Sequence, residues 1–275
     1  MRNNKTIDIL IPAYNAHKTI AKTLSSIFSQ QRSFLVKVYI INDGSNDDYS
    51  DVIELFKGLD ITELKLECNK GVGVARQYGL EHSYGDYILF IDADDVLYNN
   101  FALSNLYNLI RNYDYDFVYG AIYQEDRRGR EKIKFHDSCL HGKMYNRSFL
   151  KNNNIKFNST RTSEDNSFNH ICMFKARSVN NTDEIVYVYK DNISSLTKGL
   201  SLEKIYNNLK DFTDNVIYFM DNVANIKDER AVMYYFNSYS FVYNNYIKYK
   251  DEIIAQDILG LLRKLEEKKK AYDIT

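Results

Sequence analysis

The stretch Tyr87-Ile88-Leu89-Phe90-Ile91-Asp92-Ala93-Asp94-Asp95 is the most informative part of this 275-residue chain. Its leading residues are apolar, with the β-branched and aromatic content of a buried strand, and they stop abruptly at a run of acids. A buried strand with acids at its carboxyl end places them at the rim of an open α/β sheet, where such folds bind ligands. The stretch therefore predicts a ligand site at the end of a central strand.

The acids of this stretch suit a divalent cation. Asp92 and Asp94 lie on the same side of an extended chain, because strand side chains alternate with period two. Two like charges held that close need a cation between them or a proton on one of them. Oxygen ligands at this density suit Mg²⁺ or Mn²⁺. Taken alone, the stretch also fits a strand that runs into an acidic turn, with Asp95 capping the next helix.

The composition describes a globular chain without a specialised surface. A hydrophobic fraction of 44% is enough for a full core, and the length fits one large α/β domain with an appendage, or two modest domains. The net charge of -1 gives no broad field for nucleic acid or a membrane, so we expect no nucleic-acid partner and only local phosphate binding.

The cysteines and the hydropathy pattern predict a cytoplasmic location. Cys68, Cys139 and Cys172 are widely separated and have no metal-type spacing, and an odd count without a signal peptide fits a reducing compartment. No apolar run approaches the roughly 20 residues of a membrane span. Peripheral attachment to the inner face of the membrane stays open.

Strand and helix patterns alternate along the first two thirds of the chain, which argues for a largely parallel sheet built from right-handed crossover units. Pro12 is expected to end the first strand, because proline cannot donate to a sheet ladder. The predicted strands are residues 7–11, 35–41, 61–66, 87–91, 117–122 and 186–189, and the predicted helices include residues 17–30, 103–110 and a segment after Ser163.

The chain changes character at Ser201. From there, apolar residues recur at spacings of three and four, which predicts amphipathic helices that form a small bundle or dock on the α/β body. We therefore divide the chain into residues 1–200 and a helical region of residues 201–275.

Two further segments have both a local and a chemical interpretation. The glycines between Asn69 and Arg76 precede a helix, where backbone N–H groups can approach phosphate, but the segment matches neither a dinucleotide fingerprint nor a P-loop and also fits a tight turn. In Ser163-Glu164-Asp165, Ser163 is a plausible N-cap, and the helix dipole favours acids in a first turn.

Five segments follow one another along the chain: Ile11-Pro12-Ala13-Tyr14-Asn15, Asn42-Asp43-Gly44-Ser45, Asn69-Lys70-Gly71 to Arg76, Ile91-Asp92-Ala93-Asp94-Asp95 and Ser163-Glu164-Asp165. In this order they resemble a family-2 glycosyltransferase, a member of a large group of inverting nucleotide-sugar transferases, and the resemblance covers roughly residues 6–195. It implies an α/β protein of GT-A fold, Rossmann-like with a mostly parallel central sheet flanked by helices, followed by an α-helical C-terminal extension.

The resemblance implies a nucleotide site for a donor that is commonly linked to uridine diphosphate. The base and ribose would lie against Pro12, Ala13, Tyr14 and Asn15, with Tyr14 near the base. Asp43 would accept a hydrogen bond from the uracil N3–H, and Lys70 and Arg76 would lie beside the nucleotide or its diphosphate.

The resemblance also assigns the metal site. Asp92-Ala93-Asp94 matches the Asp-x-Asp motif, which holds ribose and a divalent cation, Mn²⁺ or Mg²⁺. Asp94 would be the direct ligand and Asp92 would lie nearer the ribose or the metal, with Asp95 supporting them.

Asp165 matches the catalytic base of the family. An inverting transfer needs a base for the attacking hydroxyl and a cation for the departing diphosphate, but no covalent nucleophile. Glu164 would orient Asp165 or contact acceptor or sugar hydroxyls. His141 and Lys143 resemble the segment before the acid pair; His141 would approach the metal or diphosphate, or be structural.

The implied reaction moves a sugar from the nucleotide donor to a hydroxyl of a bacterial-type surface glycan, glycolipid or glycoprotein. The chain lacks the Gln-x-x-Arg-Trp sequence of processive synthases, which argues for adding one or a few sugars. Loops 124–140 and 190–200 would set acceptor specificity, and the C-terminal helices would bind acceptor or form a homo-oligomer. The alternatives are a non-catalytic sugar-nucleotide-binding or assembly subunit and, without the expected glycine-rich N-terminal loop, a nucleotidyltransferase.

Overall fold

A computed structural model of the chain describes residues 5–126, 129–190, 201–223 and 228–274. Its strands are β1 (Ile7–Ala13), β2 (Val36–Asn42), β3 (Asp60–Lys65), β4 (Tyr87–Phe90), β5 (Val96–Leu97), β6 (Phe117–Asp126), β7 (Gly129–Ile133), β8 (Lys143–Asn146) and β9 (Val179–Lys190). Its helices are α1 (His17–Phe28), α2 (Ser50–Leu55), α3 (Val72–His82), α4 (Ala102–Ile110), α5 (Arg147–Asn152), α6 (Glu164–Lys175), α7 (Leu202–Asn222), α8 (Glu229–Lys248) and α9 (Ala255–Ala271).

One sheet runs through the molecule in the order β3-β2-β1-β4-β8-β6-β9-β5, with β7 paired to β6. The strands from β3 to β4 pair parallel through helical crossovers, and β6 pairs parallel with β9. Antiparallel pairings of β8, β7 and β5 extend the sheet. The predicted α/β fold, with a central sheet between helices and helices after it, is confirmed. No helix in the described ranges is both long and apolar enough to cross a membrane.

The first strand is longer than expected, because it continues through Pro12 to Ala13. The Leu10 carbonyl accepts a hydrogen bond from the Ile91 amide, so Leu10 faces β4. Pro12 lies two residues later and faces the same side, beyond Phe90, the last residue of β4. The pairing of β1 with β4 has ended there, so the missing N–H of Pro12 does not interrupt that ladder, while on its other edge β1 stays paired with β2 through Ala13. The prediction that Pro12 ends the strand is therefore wrong.

The last strand also begins earlier than predicted, at Val179 rather than at residue 186. Its first half is polar and exposed, yet it pairs with β6 from Phe117 onward. Backbone pairing with a long neighbour overrides a sequence that lacks the expected apolar alternation.

The core has two parts, one for each face of the sheet. Alternation divides the central strands between them, so Ile9 and Leu89 join one cluster, whereas Leu10 and Phe90 join the other. The second cluster also contains the buried apolar residues of α7, α8 and α9, such as Val216. The C-terminal helices therefore pack on each other and on the α/β body, and one core spans the predicted boundary at residue 200.

Phe168 of α6 lies at the centre of the second cluster. It is fully buried, stacks on Phe157 with ring centroids 4.0 Å apart, and meets the edges of Phe90 and Tyr145 at 5.9 and 5.6 Å. Aromatic contacts of this kind add to the free energy gained from burial alone. This cluster supports the end of β4 and the start of α6 together.

We expect Phe168→Ala to lower the free energy of unfolding by about 3–5 kcal/mol, because it leaves a cavity where four aromatic rings meet. Urea denaturation measures the change. The matched control is Ile253→Ala, since Ile253 is 87% exposed and should change stability by less than about 0.5 kcal/mol. Equal effects of the two substitutions would contradict this description of the core.

Candidate active site

A cleft of about 580 Å³ opens at the carboxyl ends of β1 and β4, between these strand ends and the start of α6. This volume is ordinary for a small-molecule site. The cleft is lined by these predicted site residues: Pro12, Tyr14, Asn15, Arg76, Asp92, Ala93, Asp94, Glu164 and Asp165. The loop from Pro12 to Asn15, the Asp-x-Asp motif and the acid pair Glu164-Asp165, which are far apart in sequence, therefore meet in one cavity.

Arg76 of α3 connects two of these motifs. It is only 5% exposed, its Nη2 lies 2.6 Å from Asp92 Oδ1, and its Nη1 contacts Glu164 Oε1. We expected Arg76 beside the nucleotide or its diphosphate; it lines the cleft, but both terminal nitrogens are engaged with acids. The guanidinium thus ties the end of β4 to the start of α6.

The shared guanidinium acts differently on its two partners. Burial opposes ionisation of Asp92, but the charge of Arg76 and a hydrogen bond from His141 outweigh it and hold the Asp92 pKa well below its usual range. Burial raises the pKa of Glu164, and the charge of Arg76 opposes that rise. Asp92 is therefore the acid that stays ionised at the end of β4.

His141 forms a group of possible metal ligands with Asp92 and Asp95. Its Nε2 lies 3.3 Å from Asp92 Oδ2 and 3.7 Å from Asp95 Oδ2, and its ring lies between Tyr187 and Tyr189, with centroid distances of 4.9 and 4.8 Å. Ligand atoms of the two acids and the histidine all lie within 4.8 Å of one another. The structure thus gathers Asp92 with Asp95 and His141, while Asp94 lies at the cleft wall.

Asp95 does not cap the next helix, because α4 begins only at Ala102. It is 1% exposed and accepts hydrogen bonds from the Tyr187 hydroxyl at 2.9 Å and the Lys190 amide at 3.0 Å. Burial raises the pKa of Asp95 to about 7. Asp95 therefore fastens the end of β9 to the acidic turn.

Asp43 holds the loop that leads into α3. It is 3% exposed and accepts hydrogen bonds from the Lys70 amide at 2.8 Å and the Gly71 amide at 2.9 Å. Gly71 has a φ of 96°, which favours glycine. Neither Asp43 nor Lys70 is part of the wall of the cleft, and their predicted contacts with uracil and diphosphate stay predictions.

Ser163 lies at the N-cap position of α6, but it does not cap the helix. Its backbone is left-handed, with a φ of 63°, and its side chain makes no cap hydrogen bond. A capping side chain needs an extended backbone, so the N-cap prediction is wrong. Asn15, on the opposite wall, is also left-handed. Such conformations concentrate at functional sites, where the surroundings hold them.

One predicted residue supports the site from outside the cleft, and two residues of the cleft were missed. Lys143, predicted to contact the acceptor or support the site, is 1% exposed and donates to the carbonyls of His136 and Cys139, so it supports the loop before His141. Arg161 and Tyr189 line the cleft but were not predicted there. The sequence around these two residues carries no motif that marks them as part of the site.

Comparison with known proteins identifies the family of this chain. The family model described as "Glycosyl transferase family 2" matches residues 8–181, from β1 into β9. Among curated proteins, the chain is 29% identical over 237 residues to the Staphylococcus aureus poly(ribitol-phosphate) beta-N-acetylglucosaminyltransferase TarP, covering 78% of this chain and 71% of TarP. It is 30% identical over 176 residues to the Streptococcus pneumoniae glycosyltransferase GlyA, covering 62% of this chain but only 24% of GlyA.

Solved structures share the fold at low sequence identity. S. aureus TarS in complex with UDP-GlcNAc superposes with a TM-score of 0.63 and 18% identity, covering 97% of this chain and 92% of that chain. The Pyrobaculum calidifontis mannosyltransferase PcManGT, in complex with GDP-Man and Mn²⁺, has a TM-score of 0.58 and 12% identity, covering 100% and 89%. Because the family match spans most of the chain, this protein belongs to glycosyl transferase family 2.

Proposed function

We propose that this glycosyltransferase moves a hexose or N-acetylhexosamine from a UDP-sugar to an acceptor hydroxyl, by a single inverting displacement assisted by a divalent cation. The observation that carries the proposal is the cleft itself. It brings Asp165 of α6 together with the Asp-x-Asp motif at the end of β4 and the loop from Pro12 to Asn15. An inverting transfer needs these three functions: a base, a site for the diphosphate and a nucleotide pocket.

The favoured donor is UDP-N-acetylglucosamine. TarP is named an N-acetylglucosaminyltransferase, and TarS was solved with UDP-GlcNAc and with UDP. Tyr14 is 51% exposed at the mouth of the cleft, which leaves an aromatic face for the base. Asp43 is the group proposed to accept from uracil N3–H, since a carboxylate that already accepts two amides still has lone pairs for another donor.

The residues at the end of β4 fit Mn²⁺ or Mg²⁺. Carboxylate oxygens suit both ions, and the PcManGT complex contains Mn²⁺. Asp92 and Asp94 both line the cleft. Following the family resemblance, we assign Asp94 as the direct ligand, with Asp92, whose oxygens contact Arg76 and His141, beside it. His141 and Asp95 form a group of possible ligand atoms with Asp92. When bound, the cation would neutralise charge that grows on the leaving diphosphate.

Asp165 is the proposed catalytic base. It lines the cleft in the first turn of α6, where the helix dipole favours a negative charge, and its Oδ1 accepts the Asn166 amide at 2.8 Å. As the acceptor oxygen forms its bond to the anomeric carbon, Asp165 takes the hydroxyl proton, and the bond from that carbon to the diphosphate breaks. Glu164, held by Arg76, fixes the direction of the helix that presents Asp165.

The acceptor side is proposed from the resemblance and the relatives together. The acceptor would be a bacterial-type surface glycan, lipid-linked glycan or glycoprotein. Of the two loops expected to set acceptor specificity, residues 191–200 lie outside the described residues. The proposed setting is the cytoplasm or the inner face of the membrane. A homo-oligomer through the C-terminal helices is also proposed, because α8 exposes Met233, Phe241 and Tyr243.

We expect Asp165→Asn to lower kcat by about 10²–10⁴-fold, because the amide cannot take the acceptor proton, while the dissociation constant of UDP stays within about twofold. Coupled detection of released UDP and calorimetric titration measure the two effects. Asp251→Asn, in the exposed segment between α8 and α9, is the control. Wild-type turnover of Asp165→Asn would remove the base assignment.

Chelation should abolish transfer, and Mn²⁺ or Mg²⁺ should restore it. In Asp94→Asn we expect the metal concentration for half-maximal activity to rise at least about tenfold, because a neutral amide is a weaker ligand than a carboxylate. Titration of Mn²⁺ followed by electron paramagnetic resonance gives the affinity without turnover. Full activity in the presence of a chelator would contradict the metal assignment.

A thermal-shift screen of nucleotide sugars should single out uridine nucleotides. We expect UDP and UDP-N-acetylglucosamine with Mn²⁺ to raise the melting temperature more than GDP-mannose does, since a ligand that binds only the native state stabilises it. Tight UDP binding with no turnover on a broad donor and acceptor panel would instead favour the non-catalytic binding subunit. Release of pyrophosphate would favour a nucleotidyltransferase.

A further inference from the structure

We propose that the C-terminal helices position the catalytic base, through Asp211 and Asn215 of α7 and Tyr234 of α8. This inference rests on the proposed role of Asp165 as the base. The sequence has no recognisable motif after Ser201, and neither the family match, which ends at residue 181, nor the pocket wall includes these residues. Their hydrogen bonds hold the chain segments on both sides of Asp165.

Asp211 captures the loop that enters α6. Its Oδ2 accepts the backbone amides of Arg161 and Thr162, both at 3.1 Å, and the Thr162 hydroxyl at 3.2 Å. A carboxylate that accepts two successive amides fixes the direction of the backbone, and charge-assisted hydrogen bonds are the stronger kind. The loop therefore leaves Thr162 in one orientation, immediately before the left-handed Ser163 and the acid pair.

Asn215 links the two sides of the base. Four positions after Asp211 on α7, it lies on the same face of the helix and is 1% exposed. Its Nδ2 donates to Thr160 Oγ1 at 2.7 Å and to the Thr162 carbonyl at 3.1 Å, while its Oδ1 accepts Ser167 Oγ at 2.7 Å. One amide thus joins the loop before Asp165 to the α6 turn after it.

Tyr234 holds the residue next to the base. Its hydroxyl donates to Asn166 Oδ1 at 2.6 Å, and its ring lies 4.2 Å from the His170 ring, one turn further along α6. Tyr234 belongs to α8, so both α7 and α8 form hydrogen bonds with the first turn of α6. Together with the buried pair of Arg76 and Glu164, these contacts surround Asp165 with fixed neighbours.

This network fixes the position of the Asp165 carboxylate. A small change in that position affects catalysis by the base more than it affects the stability of the fold. The segment includes a left-handed Ser163, a conformation that is unfavourable for a residue other than glycine and persists only where its surroundings enforce it. If these hydrogen bonds are removed, the loop before α6 can relax and move the carboxylate of Asp165 away from the acceptor hydroxyl. A displacement of about 1 Å can reduce turnover by about 10²-fold without loss of substrate binding.

The test compares Asp211→Ala, Asp211→Asn and Tyr234→Phe with the control Asp214→Asn. Asp214 lies on the same helix and pairs with Lys210 at 3.0 Å rather than with the loop. We expect Asp211→Ala to lower kcat by about 10–100-fold while the donor KM and UDP affinity stay within about twofold, with rates scaled to the number of UDP-binding sites. Asp211→Asn keeps an acceptor oxygen and should recover most of the activity.

Tyr234→Phe is the sharpest variant, because it keeps the ring against His170 and removes one hydrogen bond; we expect a loss of about 3–10-fold in kcat. Amide hydrogen exchange gives a second readout that needs no turnover. Residues 160–167 should exchange faster in Asp211→Ala, whereas α3 stays as in the wild type.

The outcomes separate this inference from the proposed function. If the wild type transfers no sugar, the proposed function fails, and unchanged exchange of residues 160–167 would then overturn the inference as well. If the wild type is active, kcat values of Asp211→Ala and Tyr234→Phe equal to that of Asp214→Asn overturn it. The inference is also overturned if the loss of activity matches the loss of folded protein. It is likewise overturned if the variants raise the donor KM by the same factor by which they lower activity.

Discussion

The site depends on a guanidinium buried between two carboxylates. Arg76 contacts Asp92 at the end of β4 and Glu164 at the start of α6, and the Arg76 and Glu164 side chains are 6% and 3% exposed. A buried polar or charged group without a partner is strongly unfavourable, so removal of Arg76 would leave the buried Glu164 side chain without its partner and would remove the cation that keeps Asp92 ionised. The same contacts join the part of the site that faces the donor to the part that carries the proposed base. The ion pairs that offset the charge of Arg76 therefore also fix the distance between the end of β4 and the start of α6.

The position of Arg76 is itself set from the nucleotide side. Arg76 lies on α3, and the loop that begins α3 is fixed by Asp43 through the amides of Lys70 and Gly71. Asp43 is also the residue proposed to recognise uracil. Under that proposal, uracil binding and the placement of Arg76 would depend on the same carboxylate. The proposed donor site and the acid pair of α6 would then be linked through a continuous set of hydrogen bonds.

The sequence predicted the acids of the site better than it predicted their partners. Asp92 and Asp94 follow β4, at the edge where an open α/β sheet binds ligands, and that rule can be applied to a pattern of strands. Asp165 lies in the first turn of α6, so its position in the cleft was expected from the family resemblance and not from the strand rule. The pairing of Arg76 with Glu164 spans 88 positions, and nothing in the spacing of two charges predicts it. Local rules also failed where tertiary structure overrode them, at Pro12 beyond the end of β4 and at Ser163, whose left-handed backbone excludes the predicted cap.

The C-terminal helices show the same limit. Their apolar spacing correctly indicated helices with a buried face, and residues such as Val216 do join the core. The apolar pattern does not predict the role of Asp211 and Asn215, because that role depends on the loop residues with which they form hydrogen bonds. A loop that enters a helix has no ladder of its own, so its amides and carbonyls need partners from elsewhere. Here α7 supplies them for the loop that leads to Asp165, so a helix from the C-terminal part of the chain holds a loop of the α/β part.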